Sequence, residues 1–184
     1  VRVVATNMHL LPQYGMTVDE IRADGFEPLC ADMSAEGTDE ASRVRATAAC
    51  TAAMADAFEA LAPDAVVILG DRYEMLGVAT AAALMRIPIV HIAGGEISEG
   101  AVDDSLRHAI TKLSSLHLTA AEAYRRRVVQ MGENPATVVN TGAIGVWNTL
   151  NVPRIAAPEL EKFLGMNFAD GPVAVVTYHP ATLD

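Results

Sequence analysis

Residues 65–76 read Ala65-Val66-Val67-Ile68-Leu69-Gly70-Asp71-Arg72-Tyr73-Glu74-Met75-Leu76. Five apolar residues run without a break, and three of them are β-branched. Such a run is the pattern of a strand buried on both faces, as in a parallel sheet under helices. Gly70 ends the run and allows a tight turn. An acid and a base, Asp71 and Arg72, follow at once, ahead of a helical segment over 74–85. In open α/β sheets, ligands bind in the crevice past the carboxyl ends of the strands. Asp71 and Arg72 stand at such an end. On residue types alone they face that crevice, or Asp71 caps the next helix and Arg72 is solvated.

Downstream, Pro88 opens a second apolar strand, Ile89-Val90-His91-Ile92-Ala93, so strand, helix and strand form a right-handed parallel crossover. A loop with Gly94, Gly95 and Gly100 then carries Glu96, Glu99 and Asp103. A helix over 103–113 has Leu106, Ala109, Ile110 and Leu113 as its expected inner stripe. Asp103 continues that stripe at the first turn, and Asp104 is rotated roughly 100° away. Either carboxylate can serve the helix dipole, and the inward geometry favours Asp103 as a functional candidate. Strands are expected at 117–120 and 137–140, and a helix over 121–131. Its three arginines, Arg125, Arg126 and Arg127, read as a solvated face. Trp147 reads as packing. Residues 153–158 read as a linker, and 173–180 as a last strand.

Upstream, residues 1–6 read as a strand. Thr17 has the spacing of a capping box with Glu20. A weak strand over 26–31 contains Pro28. A long helix over 40–61 has Val44, Ala48, Ala55, Phe58 and Ala62 as its expected stripe. The alternation of strands and helices predicts a doubly wound parallel α/β sheet.

Thirteen Lys and Arg against twenty-three Asp and Glu leave a net charge of −10, which argues against a nucleic-acid-binding surface. No apolar run approaches the ~20 residues of a membrane helix. Cys30 and Cys50 lack metal-ligand spacing and read as small apolar fillers. A cytoplasmic location, no membrane and no metal are the expectation. Both ends lie in or beside strand patterns, so the chain is expected to be part of a longer protein.

The sequence carries neither a Gly-x-Gly-x-x-Gly after its first strand nor a P-loop. No Ser or Cys sits in a nucleophile elbow. The residues that can carry chemistry all follow strands: Asp71-Arg72, the acidic glycine loop, Arg107-His108 and His179. Chemistry here would rest on carboxylates moving protons.

Four segments carry a resemblance. They are residues 70–76, residues 87–96, residues 99–112 (Glu99-Gly100-Ala101-Val102-Asp103-Asp104-Ser105-Leu106-Arg107-His108-Ala109-Ile110-Thr111-Lys112), and Thr177-Tyr178-His179-Pro180. Together they resemble the hydrolysing UDP-N-acetylglucosamine 2-epimerases. The resemblance implies a GT-B fold, two Rossmann-like domains with a sugar nucleotide between them. Residues 1–152 would be the N-terminal domain without its first strand and phosphate loop. Residues 153–184 would be a linker and the start of the second domain. The implied reaction eliminates UDP from UDP-N-acetylglucosamine and hydrates the glycal to N-acetylmannosamine, for sialic-acid-like sugar synthesis. No cofactor is implied, and a homo-oligomer is expected. Asp71, Asp103 and Glu96 are the implied acid/base groups. Arg72, His179, Arg107 and His108 are the implied substrate-binding groups. Many members carry Glu where this chain has Ala93. The alternatives are the same chemistry on a UDP-diacetamido-trideoxyhexose, and a GT-B glycosyltransferase.

Overall fold

The computed structural model of the protein describes residues 1–31 and 39–177. Strand β1 (Val4–Thr6) and strand β2 (Leu29–Ala31) pair in parallel, with the short helix α1 (Val18–Ala23) between them. The long helix α2 (Glu40–Leu61) follows; the Asp39 carboxylate caps it by accepting the Ser42 N–H at 2.7 Å. Then strands and helices alternate: β3 (Val66–Leu69), α3 (Tyr73–Leu84), β4 (Ile89–Ile92), α4 (Asp103–Leu113), β5 (Leu116–Thr119), α5 (Glu122–Gln130) and β6 (Val138–Asn140). Helices α6 (Ile144–Asn151) and α7 (Ala157–Leu164) close the described chain.

Strands β3, β4, β5 and β6 lie side by side in chain order, and every pairing is parallel. The parallel α/β architecture therefore stands. Among the described residues it is delivered as two sheets, because β1 pairs with β2 and not with β3. An apolar trough lined by Val4, Phe58, Val66, Ile68 and Val78 separates the two edges.

Register sets which side chains share a face. Ile68 lies opposite His91, His91 opposite His117, and His117 opposite Val138. This row is buried throughout. Three successive right-handed crossovers put α3, α4 and α5 over one face. On β3 the other side is open, with Val67 65% and Leu69 58% exposed.

Beneath the helices, Cys50, Met54 and Phe58 of α2 meet Val78, Ala79 and Ala82 of α3, with Ile68, Ile89 and Ile110. Each fully buried large side chain here is worth roughly 1.5–3 kcal/mol. Gly77 allows the two helices to touch: a Cβ there would lie 2.9 Å from the Thr47 carbonyl oxygen.

Several local expectations are corrected. The buried stripe of α2 is Ser42, Ala46, Cys50, Met54, Ala57 and Phe58, while Val44 is exposed. An alanine-rich helix has little apolar direction, so its orientation follows the larger Met54 and Phe58 and the approach at Gly77. Thr17 makes no capping bond, and its hydroxyl meets His9 Nδ1 at 2.7 Å. Cys30 is exposed, whereas Cys50 is buried. Trp147 is 64% exposed rather than packed. Residues 172–177 join no strand pairing, and the rest of the expected last strand lies outside the described residues.

Candidate functional site

The site is built from the carboxyl ends of β3 and β4. Gly70 (φ 84°) turns the chain out of β3, and its N–H donates to the Ile92 carbonyl at 3.1 Å. Its carbonyl accepts from His91 Nε2 at 2.8 Å. A carbonyl only accepts, so Nε2 carries the proton. Nδ1 then accepts from the Thr111 hydroxyl at 3.1 Å. Burial holds the His91 pKa below its ordinary value. A neutral imidazole thus ties the residue before Asp71 to α4.

Asp71 does not cap α3. Its carboxylate pairs with the Arg107 guanidinium, which crosses to it from α4. Arg107 is 4% exposed. It also donates to Asp104 Oδ1 at 3.3 Å and to the Ser98 hydroxyl at 2.9 Å. Asp104 Oδ1 accepts the Ser98 N–H at 2.9 Å. One buried guanidinium therefore orients Asp71 and straps down the loop after β4. The implied role for Arg107 was substrate contact; its donors point inward to these three partners.

The face of α4 turned to the protein is Arg107, Ile110 and Thr111, with Ala109 and Leu113 exposed. Of the expected stripe Leu106, Ala109, Ile110 and Leu113, Ile110 is buried and Leu106 half-buried, while Ala109 and Leu113 give way to Arg107 and Thr111. A polar face can be buried when its groups find partners, and these do. Consequently Asp104 joins the Arg107 network. Asp103 is half-buried at the start of the same helix, and neither aspartate caps it. His108 Nε2 lies 3.8 Å from Asp104 Oδ2.

The loop from β4 is shaped by its glycines. Ala93 takes a left-handed conformation with φ 64°. Gly95 is also left-handed, and a Cβ on it would fall 2.5 Å from the Tyr124 carbonyl oxygen. Arg127 donates to the Gly95 carbonyl, and Arg125 donates to the Val138 carbonyl at 3.0 Å. Two of the three arginines expected to form a solvated face are thus structural. The half-buried Glu96 follows. Glu96 and Asp103 have no hydrogen-bond or ion-pair partner among the described residues.

Arg72 is half exposed but not solitary. It donates to Glu74 from Nε at 3.1 Å and from Nη2 at 3.0 Å, and lies over the Tyr73 ring. Glu74 is buried and also accepts from the Asn7 side chain. Burial disfavours its charge, yet the bonds from Arg72 and Asn7 outweigh this and lower its pKa. Sequence reasoning placed Glu74 inside an apolar helix and missed it; an Arg and a Glu two apart at a strand's carboxyl end were the available signal. His179 lies outside the described residues. The segments after β3 and β4 offer two unpaired carboxylates among the described residues, one oriented carboxylate and a half-exposed guanidinium, residue types suited to moving protons beside an anionic group.

Residues 1–184 match the family model described as UDP-N-acetylglucosamine 2-epimerase. A relative from Campylobacter jejuni, a GDP/UDP-N,N'-diacetylbacillosamine 2-epimerase (hydrolyzing), is 41% identical over 183 residues, covering 100% of this chain and 47% of its own. The polysialic acid biosynthesis protein P7 of Escherichia coli is 38% identical over 182 residues, covering 98% and 46%. The chain therefore spans about half the length of the curated relatives it matches. Among solved structures, the UDP-GlcNAc 2-epimerase of Neisseria meningitidis bound to UDP-GlcNAc superposes with a TM-score of 0.68 at 18% identity, covering 89% of this chain and 46% of that one.

Proposed function

We propose a function from one premise: the chain belongs to the UDP-N-acetylglucosamine 2-epimerase family. The reading is one half of a hydrolysing 2-epimerase of a UDP-2-acetamido sugar, with residues 1–152 as its N-terminal Rossmann-like domain and 153–184 leading into the second. UDP-N-acetylglucosamine is the substrate of the first reading. The reading is supported by Asp71 and Arg72 following β3, and by Glu96 and Asp103 following β4, at the carboxyl ends of adjacent parallel strands.

The reaction has two stages. A carboxylate takes the C2 proton, the C1–oxygen bond breaks, and UDP leaves with the electron pair, giving a 2-acetamidoglucal. Water then adds its oxygen to C1, and C2 is protonated on the opposite face, giving the free 2-epimer. The C2 proton is weakly acidic, so the base must be positioned and partly desolvated. Half-buried Asp103 and Glu96, with no partner to compete for their lone pairs, supply the base and the acid. Asp71, held by Arg107, is an oriented acceptor at the end of β3. Arg72, and His179 from the residues that follow, meet the departing diphosphate. The sugar supports sialic-acid-like synthesis, an assignment favoured by the Escherichia coli relative's name.

A second reading keeps the chemistry and places acetamido groups at both C2 and C4. The 41% identity to the Campylobacter jejuni diacetylbacillosamine enzyme favours it. The complete protein, incubated with each UDP-sugar and no acceptor, should release UDP and the free 2-epimer. In deuterium oxide the product should carry deuterium at C2. UDP release only when an acceptor sugar is added would replace the epimerase reading with a glycosyltransferase.

A further inference from the structure

We infer that Glu74 and Asn7 are positioning residues that lock the Arg72 guanidinium for a diphosphate, so that the anion site is assembled from both sheets. The inference rests on the epimerase reading and deepens it.

Three observations meet at Glu74. First, its carboxylate is buried and takes both Nε and Nη2 of Arg72, a two-pronged contact that fixes the guanidinium plane. Second, Arg72 keeps about half its side chain exposed, and its bonds to Glu74 use Nε and Nη2, not Nη1. The fixed plane therefore leaves the Nη1 edge outside the Glu74 contact. Third, the Asn7 amide donates to Glu74 Oε1 and reaches Tyr73 Oη at 3.4 Å.

The position of Asn7 gives the third observation its weight. It follows β1, and β1 does not pair with β3. The Asn7–Glu74–Arg72 chain is thus a polar bridge between the carboxyl ends of the two sheets. Asn7 also holds φ 49°, a left-handed conformation that asparagine tolerates better than most residues. Such a backbone is kept only where its surroundings enforce it, and it clusters at ligand sites. A lone arginine on a turn would lose several rotamers on binding an anion. Glu74 removes that freedom in advance, and its single negative charge leaves the pair neutral. The recognition is then by directed hydrogen bonds more than by net charge.

The test is a double-mutant cycle in the complete enzyme, read as UDP and uridine affinity by calorimetry without turnover. Glu74→Gln should weaken UDP binding by about tenfold, the scale of one charged hydrogen bond, and leave uridine binding unchanged. In an Arg72→Ala background, Glu74→Gln should change UDP binding less than twofold. A merely structural Glu74 would weaken both ligands, and by the same factor in both backgrounds; either result overturns the inference. So does an Arg72→Ala variant with unchanged UDP affinity. Should Glu74→Gln fail to fold, Asn7→Gly keeps the backbone conformation, removes the amide, and must show the same dependence on Arg72. Release of UDP by the parent enzyme is scored separately, so loss of the epimerase reading is told apart from loss of this one.

Discussion

Arg107 reaches back 36 residues to pair with Asp71, and its own side chain is 5% exposed. A buried cation in this position must keep its partners. Arg107→Ala leaves Asp71 and Asp104 without it, and should cost about 3–5 kcal/mol of stability. Arg107→Lys restores charge but not the fork geometry, and should recover only part. Urea unfolding of the complete protein measures both; wild-type stability in Arg107→Ala would show the pair contributes nothing.

The two neighbouring aspartates should separate into different phenotypes. Asp103 has no partner to lose, so Asp103→Asn should lower kcat by ~10²–10⁴ with little change in Tm. Asp104 holds Arg107 and the Ser98 N–H. Asp104→Ala should therefore cost about 1–3 kcal/mol of stability. The opposite pattern, a stable but inactive Asp104→Ala and an active Asp103→Asn, would transfer the acid/base role to Asp104.

Gly95→Ala should be among the most damaging single-methyl changes on this edge. It combines φ 79° with a Cβ only 2.7 Å from Val128 Cγ2. A left-handed alanine costs roughly 1–2 kcal/mol before the clash is counted. Thermal melting of Gly95→Ala and Gly100→Ala gives the comparison. Gly100 is also left-handed, with φ 72°, but is exposed. Equal melting losses would mean the contact at Tyr124 relaxes freely.

Stability should fall in mild acid. His91 and His117 are both buried, and burial is the leading cause that holds each pKa below the ordinary 6.5. His117 faces Glu133 at 3.4 Å, which opposes the shift, while Lys112, paired with the same Glu133, adds to it. The unfolded chain then binds more protons in acid than the folded one. Their contribution is fully present above pH 6.5 and is lost as pH falls from there through the lower folded values. Urea midpoints at pH 7.5 and 5.5 test this, and His91→Gln should reduce the difference. An unchanged midpoint in the wild type would rule out neutral burial.

The fold was readable because its strands are written plainly. Val66–Leu69 and Ile89–Ile92 are short apolar runs bounded by Pro and Gly, and crossover handedness does the rest. Helix faces were harder. In α2 the alanines dilute any direction, and in α4 Ile110 shares the inward face with Arg107 and Thr111, which apolar counting assigns to solvent. Arg125 and Arg127 were misread for a related reason: their carbonyl partners come from Val138 and Gly95, distant in sequence. Asp71 and Arg72 were legible as a pair at a strand end. Their partners were not, because both ion pairs are properties of the folded edge.

The order of strands also has a consequence for how the chain folds. From β3 to β6 each strand pairs with the next one in sequence, so every step closes only one helix-length loop. The paired residues lie 21 to 26 apart, a span that the β1–β2 pair shares at 25, so the two sheets differ in how many strands support each other and not in loop length. The β1–β2 pair has no ladder to this sheet and is held through α2 and the Asn7–Glu74 bond. Its amide protons should exchange with solvent well before those of β4 and β5, which makes the β1 side the first region to open.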